Sequence, residues 1–319
     1  MTPPRRKALR IIVGCALTPL LAACGPAPKL RIASHVWPGY ELLFLARAED
    51  WLDENRVTLV ETASASESMK ALAEGRADGA ALTLDEVLRV RATGLPLSVV
   101  LAFDISAGAD VLLARSGIGS IAELKGKRIG FEQGAVGMLM LHQALMAGGI
   151  NAIDVVQVLL PIDQHEFAWR AGDVDALVTF EPVASRLAAA GARRLFDSRE
   201  IPDTIVDVLA IRTPMLDGDH ADAVRYLIAA QMRALAHLGS HPQDSAYRMA
   251  SRLNLSPDQA LASFRGLVLP DRSYNRRLLD GPSPILRDSA RRLNVLMAAS
   301  GILSREDDLA GLLRPEFLP

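Results

Sequence analysis

The sequence predicts an α/β protein of two lobes followed by a helical tail, and three observations carry that prediction. At 319 residues, the chain exceeds the roughly 100–200 residues of one ordinary domain. Short β-rich runs alternate with helical patterns twice over, as in βαβ units built around parallel sheets. From about residue 218 onward the strand patterns stop, and apolar residues recur at helical spacing instead.

The first residues stand apart from both lobes. Arg5, Arg6, Lys7 and Arg10 precede the only long uncharged apolar run, IIVGCALTPLLAAC, which predicts a signal peptide over residues 1–23. Its end, Leu21-Ala22-Ala23-Cys24, resembles a bacterial lipobox. That resemblance implies a diacylated (palmitate-bearing) Cys24 as the new N-terminus and a protein held on a membrane by lipid, in the periplasm or at the cell surface. An ordinary secretory signal cleaved beside a cysteine is the alternative. Residues 24–28 then form a Pro-containing tether. Cys15 leaves with the signal and Cys24 carries lipid, so no disulfide can form and the core must supply the stability. Loss of the four basic residues lowers the formal net charge from −2 to −6, and such a chain carries no nucleic-acid footprint.

Lobe one opens with LRIASHVW, YELLFLARAEDWLDEN, VTLVETA, SESMKALAEG, GAALTL, DEVLRVRATG and LSVVLAF. Lobe two repeats the alternation in KRIGFEQ, GAVGMLMLHQALMAGG, VVQVLLP, DQHEFAWRAG, DALVTF and PVASRLAAAG. TIVDVLAIR, residues 204–212, reads as a strand returning the chain to lobe one, so the helical tail is expected to pack there. The predicted division is 29–104 with 207–319 for lobe one and 105–206 for lobe two.

The lobes share a local pattern. Gly75 and Asp78 precede an apolar strand ending at Thr83, with Asp85 two residues on; Gly172 and Asp175 precede one ending at Thr179, with Glu181 two residues on. Each lobe thereby places a hydroxyl and a carboxylate where a strand hands over to a helix. Helix capping, as between Thr83 and Glu86, uses the same geometry. So does ligand binding, because open α/β sheets bind at the carboxyl ends of their strands.

Five such junctions are candidate cleft walls: Trp37 to Glu41, Ser64 to Ser66, Thr83 to Glu86, Glu132 to Gly137, and Thr179 to Glu181. Trp37 and Tyr40, flanking Pro38-Gly39, are suited to sandwich a small ligand, unless they pack beneath the turn as core. EQGAVG, residues 132–137, lets backbone amides of Gln133, Gly134, Ala135 and Gly137 approach a ligand, but it lacks the Walker lysine and the G-x-G-x-x-G spacing of nucleotide sites. Enzyme signatures such as G-x-S-x-G and H-E-x-x-H are missing, and the six histidines show no metal spacing. No enzyme activity, cofactor or metal is therefore expected. His165 sits at a further strand-to-helix junction and is expected in solvent on the first turn of a helix, with a place in the cleft wall as the alternative.

WPGYELLFLARAEDWL, GADVLLARSGIGSIAELKGKRIGFEQGAVG, VDALVTFEPVASRL and LLRPEFLP resemble the periplasmic substrate-binding proteins of ABC importers for nitrate, sulfonates, taurine and thiamine-pyrimidine precursors. The resemblance covers nearly the whole mature chain. It implies a type II periplasmic-binding-protein fold, with hinge crossings near residues 103–110 and 202–208. It also implies a monomer that closes on a small molecule and delivers it to a membrane permease and its ATPase; the same clamp could instead report to a membrane sensor kinase or cyclase. Trp37, Gly39, Tyr40, Thr83, the 134–137 loop and Glu181 fall where the family holds its ligand.

The junctions contain no Arg or Lys, whereas Glu41, Asp85, Glu86, Glu132 and Glu181 lie on them and Asp104 and Asp207 on the hinge strands. Two or three of these acids are expected in the cleft. The expected ligand is therefore an amine or amino-heterocycle rather than an anion.

Overall fold

The computed structural model describes residues 29–319 apart from 134 and 135. Cys24, the signal and tether, Gly134 and Ala135 thus lie outside the described residues.

In the first lobe, β1 (Leu30–Ser34), α1 (Glu41–Ala48), β2 (Val57–Glu61), α2 (Ala65–Ala73), β3 (Gly79–Thr83), α3 (Leu84–Ala92) and β4 (Leu97–Ser106) alternate in chain order. β3 and β4 are buried at every position, as apolar runs covered by helices on both faces must be. The second lobe contains β5 (Asp110–Ala114), β6 (Arg128–Phe131), α4 (Val136–Ala147), β7 (Val156–Leu159), α5 (Ile162–Ala171), β8 (Ala176–Phe180), α6 (Val183–Ala189) and β9 (Arg193–Asp197). The chain then re-enters the first lobe through β10 (Val206–Arg212).

With a short strand β11 (Leu267–Val268) from the tail, one sheet has the order β11-β4-β10-β3-β1-β2 and the other β7-β6-β8-β5-β9. β1 runs parallel to β2 and β3, whereas β10 lies antiparallel between β3 and β4. The lobes are joined by the β4–β5 and β9–β10 crossings, which are tied together. Ser106 and Ser198 hydroxyls lie 2.8 Å apart, and Ser198 also accepts from the Gly108 N–H at 2.7 Å.

The tail comprises α7 (Asp219–Ser240), α8 (Pro242–Leu253), α9 (Pro257–Ser263), α10 (Arg272–Leu279) and α11 (Ile285–Ala299). It packs on lobe one: α7 and α8 against α1, α10 against β4, and α11 against α3. LLRPEFLP closes the lobe, with the Val99 N–H donating to Leu312 O at 2.6 Å and the Arg314 N–H to Val99 O at 2.9 Å. One departure from the sequence pattern is β11 (Leu267–Val268), a two-residue strand paired antiparallel to the end of β4. A pair so short leaves no detectable period.

The Gly-to-Asp repeat proves to have a structural role at the amino ends of the strands. Asp78 accepts from the Arg31 N–H, Nε and Nη2 at 2.9, 2.9 and 2.7 Å. Asp175 holds Arg128 through the same three donors at 2.9, 3.1 and 2.8 Å. Each aspartate thereby clamps the start of the neighbouring parallel strand.

Candidate functional site

The opposite, carboxyl ends of the strands face each other across the cleft. Strand pairing sets the arrangement: Asp207 at the start of β10 lies opposite both Thr83, the last residue of β3, and Asp104 of β4. In lobe two, Asp110 at the start of β5 lies opposite Phe180, the last residue of β8. Two antiparallel strands therefore deliver acids to the level where the parallel strands end.

Between the lobes is a cavity lined by His35, Trp37, Tyr40, Ala65, Thr83, Glu86, Asp110, Val136, Phe180 and Asp207. A water's centre can reach only about 10 Å³ of it, room for about one water molecule. Phe180 crosses from lobe two to meet Trp37 edge-on at 5.5 Å and His35 at 6.0 Å between ring centroids. The lobes are closed.

Trp37 and Tyr40 are neither free walls nor simple core. The Trp37 Nε1–H donates to Asp104 Oδ2 at 3.0 Å, and the Tyr40 hydroxyl donates to Asp207 Oδ1. Gly39 lets the turn sit against this pair, since a Cβ there would meet Asp104 Oδ2 at 1.8 Å. The aromatic corner holds two buried carboxyls in place while its rings line the cavity.

Two acids latch the lobes reciprocally. Glu86 of lobe one accepts the Thr83 N–H at 2.9 Å and, across the cleft, the Val136 N–H that opens α4 at 3.2 Å. Glu132 of lobe two accepts the Ser66 N–H in the first turn of α2 at 3.0 Å. Helix N-termini attract anions, and here side-chain carboxylates already occupy them. Ser64 caps α2 by accepting from the Glu67 N–H, and Gln133 meets the Ser66 hydroxyl only through its carbonyl. Gly137 lets α4 start against the Glu132 backbone, which a Cβ would approach to 3.1 Å.

Glu181, Thr179, His165 and Glu41 lie apart from the cavity. Glu181 accepts from the Ser185 N–H and hydroxyl at 3.1 and 2.9 Å, capping its own helix. Thr179 bonds His165 Nδ1 at 3.1 Å, and His165 Nε2 lies 3.0 Å from Leu160 O. His165 is therefore buried, not solvated as expected, because those two partners satisfy its ring behind the sheet. Glu41 pairs with Arg252 of α8. His35 and Asp110 were not singled out for the cleft by sequence, and only the β1–β3 and β5–β8 registers place them there.

No lysine or arginine lines the cavity. Burial pushes the carboxyls of Asp104 and Asp110 up to about 7. Burial, reinforced by the charge of Asp85, pushes Glu86 up to about 8. Asp207 is also raised well above the usual carboxylate range, first by burial and then by Asp104. Burial lowers His35 to about 3, so its ring is neutral. Of the groups that line this space, His35 Nδ1, Asp110 Oδ2 and Asp207 Oδ2 are buried without a fixed hydrogen-bond partner, and Asp207 faces the carboxyl of Asp104. Unpaired buried polar atoms are costly, so these groups mark a surface ready to meet the polar groups of a ligand. Among the described residues, no three His, Cys, Asp or Glu are grouped to hold a metal ion.

The model of the NMT1/THI5-like family matches residues 37–245. The chain belongs to that family. A curated protein of Escherichia coli K12 named for binding aliphatic sulfonates is 26% identical over 229 residues, 70% of this chain and 71% of that one. The fold matches the alkanesulfonate-binding protein SsuA of Xanthomonas axonopodis pv. citri bound to MOPS, with a TM-score of 0.73 at 22% identity over 87% of this chain and 94% of that one. It also matches the desulfurization enzyme DSZB, at 0.64 and 18% identity over 91% and 98%. These solved structures share the type II periplasmic-binding-protein fold of this chain.

Proposed function

We propose that the protein is an extracytoplasmic solute-binding protein of an ABC importer, capturing a small amine or amino-heterocycle by hinge closure. The observation that carries this reading is the cavity itself: Glu86, Asp110 and Asp207 meet there with no facing cation. An ammonium or amino-heterocycle would supply donors to the unpartnered oxygens and favour their ionised form, while Trp37, Tyr40 and Phe180 offer ring faces worth on the order of 1 kcal/mol each to a cation. A sulfonate, the ligand class named for the E. coli relative, would have to displace Glu86 or Glu132 from a helix N-terminus and sit among carboxylates. Trp37, Gly39, Tyr40, Thr83, Asp104 and Asp207 are proposed site residues, joined by His35, Glu86 and Asp110; Ser64, Gln133 and Gly137 support the latch.

In this reading residues 29–104 with 207–319 move as one body and 105–206 as the other. With room for about one water between them, any organic ligand enters only when the lobes part. Cys24 carries the lipid that holds the receptor beside its permease. Binding is the role in the names of the E. coli and Xanthomonas relatives, whereas DSZB is named an enzyme. Native mass spectrometry of protein purified from its own cells tests the function: a small basic or amino-substituted molecule is expected to copurify. A sulfonate in its place would overturn the ligand assignment. Fatty-acid labelling that persists in Cys24→Ala would refute the anchor.

A further inference from the structure

A second cavity lies outside the cleft. α4 presents Leu141, His142, Leu145 and Met146 along one face, and Ser300 and Ile302, just beyond α11, form the facing wall. A water's centre can reach about 400 Å³ of this space, which lies within the size range of small-molecule pockets, about 300–1,000 Å³. None of its lining residues is Asp, Glu, Lys or Arg. Met146 is 60% exposed at the rim, and methionine adapts its shape to apolar ligands. His142 Nδ1 is buried in this wall without a hydrogen-bond partner. Asn151, Gln157 and Ser300 also line it but bond to Asp154, Ala152 O and Leu296 O, so the site offers apolar contact and one polar group still without a partner.

The two walls belong to different lobes. α4 is part of lobe two and starts at the latch with Glu86, whereas α11 packs on α3 of lobe one. Hinge motion must therefore change the width of this crevice. A molecule that touches both walls prefers one hinge angle, and it shifts the open–closed equilibrium by its difference in affinity for the two states.

We propose that this crevice is a second binding site, for a neutral, largely apolar small molecule bearing one hydroxyl or N–H group, and that its occupancy biases the hinge. The inference is independent of the ligand in the cleft. The probe is 1-naphthol, titrated by calorimetry into the mature full-length protein, wild type and two variants, Met146→Trp and Ile302→Trp. These fill the crevice from opposite lobes at residues that are not fully buried, and an unchanged melting temperature verifies that they fold. Wild type is expected to bind with a Kd of about 1 mM or tighter, and each variant at least about tenfold more weakly. Absence of saturable binding, or affinity unchanged in either variant, overturns the site. Small-angle scattering reads the coupling: 1-naphthol should change the radius of gyration of wild type and of neither variant, and an unchanged wild type overturns the bias on the hinge.

Discussion

The two ends of the same sheets treat aspartate in opposite ways. At the amino ends, Asp78 and Asp175 each accept three hydrogen bonds from one arginine, and both are held below the usual carboxylate range, Asp175 chiefly by Arg128 and Asp78 by the Arg31 bonds that outweigh its burial. At the carboxyl ends, Asp104, Asp110 and Asp207 are buried without a cation, and burial raises all three. A stability argument explains the first arrangement and fails for the second, because a buried carboxyl cluster costs folding energy. Acids kept at such a cost in a closing cleft are the ones to assign to a ligand.

Substitution at the two ends should therefore separate binding from stability. Asp207→Asn preserves an acceptor for Tyr40 but removes a charge. It is expected to weaken binding of an organic cation by about 2 kcal/mol, roughly thirtyfold, while leaving the unliganded melting temperature unchanged or higher. A loss of stability with affinity intact would erase the contrast. Asp78→Asn should do the reverse: about 2 kcal/mol of unfolding free energy lost, measured in denaturant, with affinity unchanged. Asp175→Asn should cost less, about 1 kcal/mol, because the Arg128 pair is more exposed to solvent.

The pH dependence sharpens the same comparison. Asp104 and Asp110 titrate near 7 and Glu86 near 8 in the folded protein, against about 4 in an unfolded chain. Raised acids bind extra protons when folded, so their contribution is full below about pH 4 and is lost as pH rises through 7 to 8. The lowered Asp78 and Asp175 contribute above about pH 4 and lose that contribution as pH falls. Unliganded stability should hence decline from about pH 4 to about pH 8, and less steeply in Asp207→Asn. A flat profile over that range would contradict the cluster. Cation binding should strengthen over the same interval, with release of protons.

Much of this was legible in the sequence, and the failures share a cause. Alternating apolar runs gave away both sheets, and TIVDVLAIR announced the return strand because β10 is long enough to show its pattern. The acids of the hinge strands were visible at Asp104 and Asp207. Asp110 was missed because nothing in GADVLLA says that its strand runs antiparallel to β8 and starts beside Phe180. Glu181 looked equivalent to Asp85 by position, yet its carboxylate turns back to Ser185. The Gly-to-Asp repeat was noticed, but its arginines lie 47 residues upstream, a spacing no local pattern exposes. Local chemistry could be read along the chain, whereas choices made by partner strands could not.

Calorimetry comparing an aminopyrimidine and small alkylamines with methanesulfonate and nitrate, at pH 8 on the mature protein and on Asp207→Asn, tests the central claim most directly. The acid-lined cleft predicts that a member of the amine class binds wild type in the micromolar range or tighter and loses most of that affinity in Asp207→Asn, with neither anion binding measurably. Tight methanesulfonate or nitrate binding that survives Asp207→Asn would contradict it.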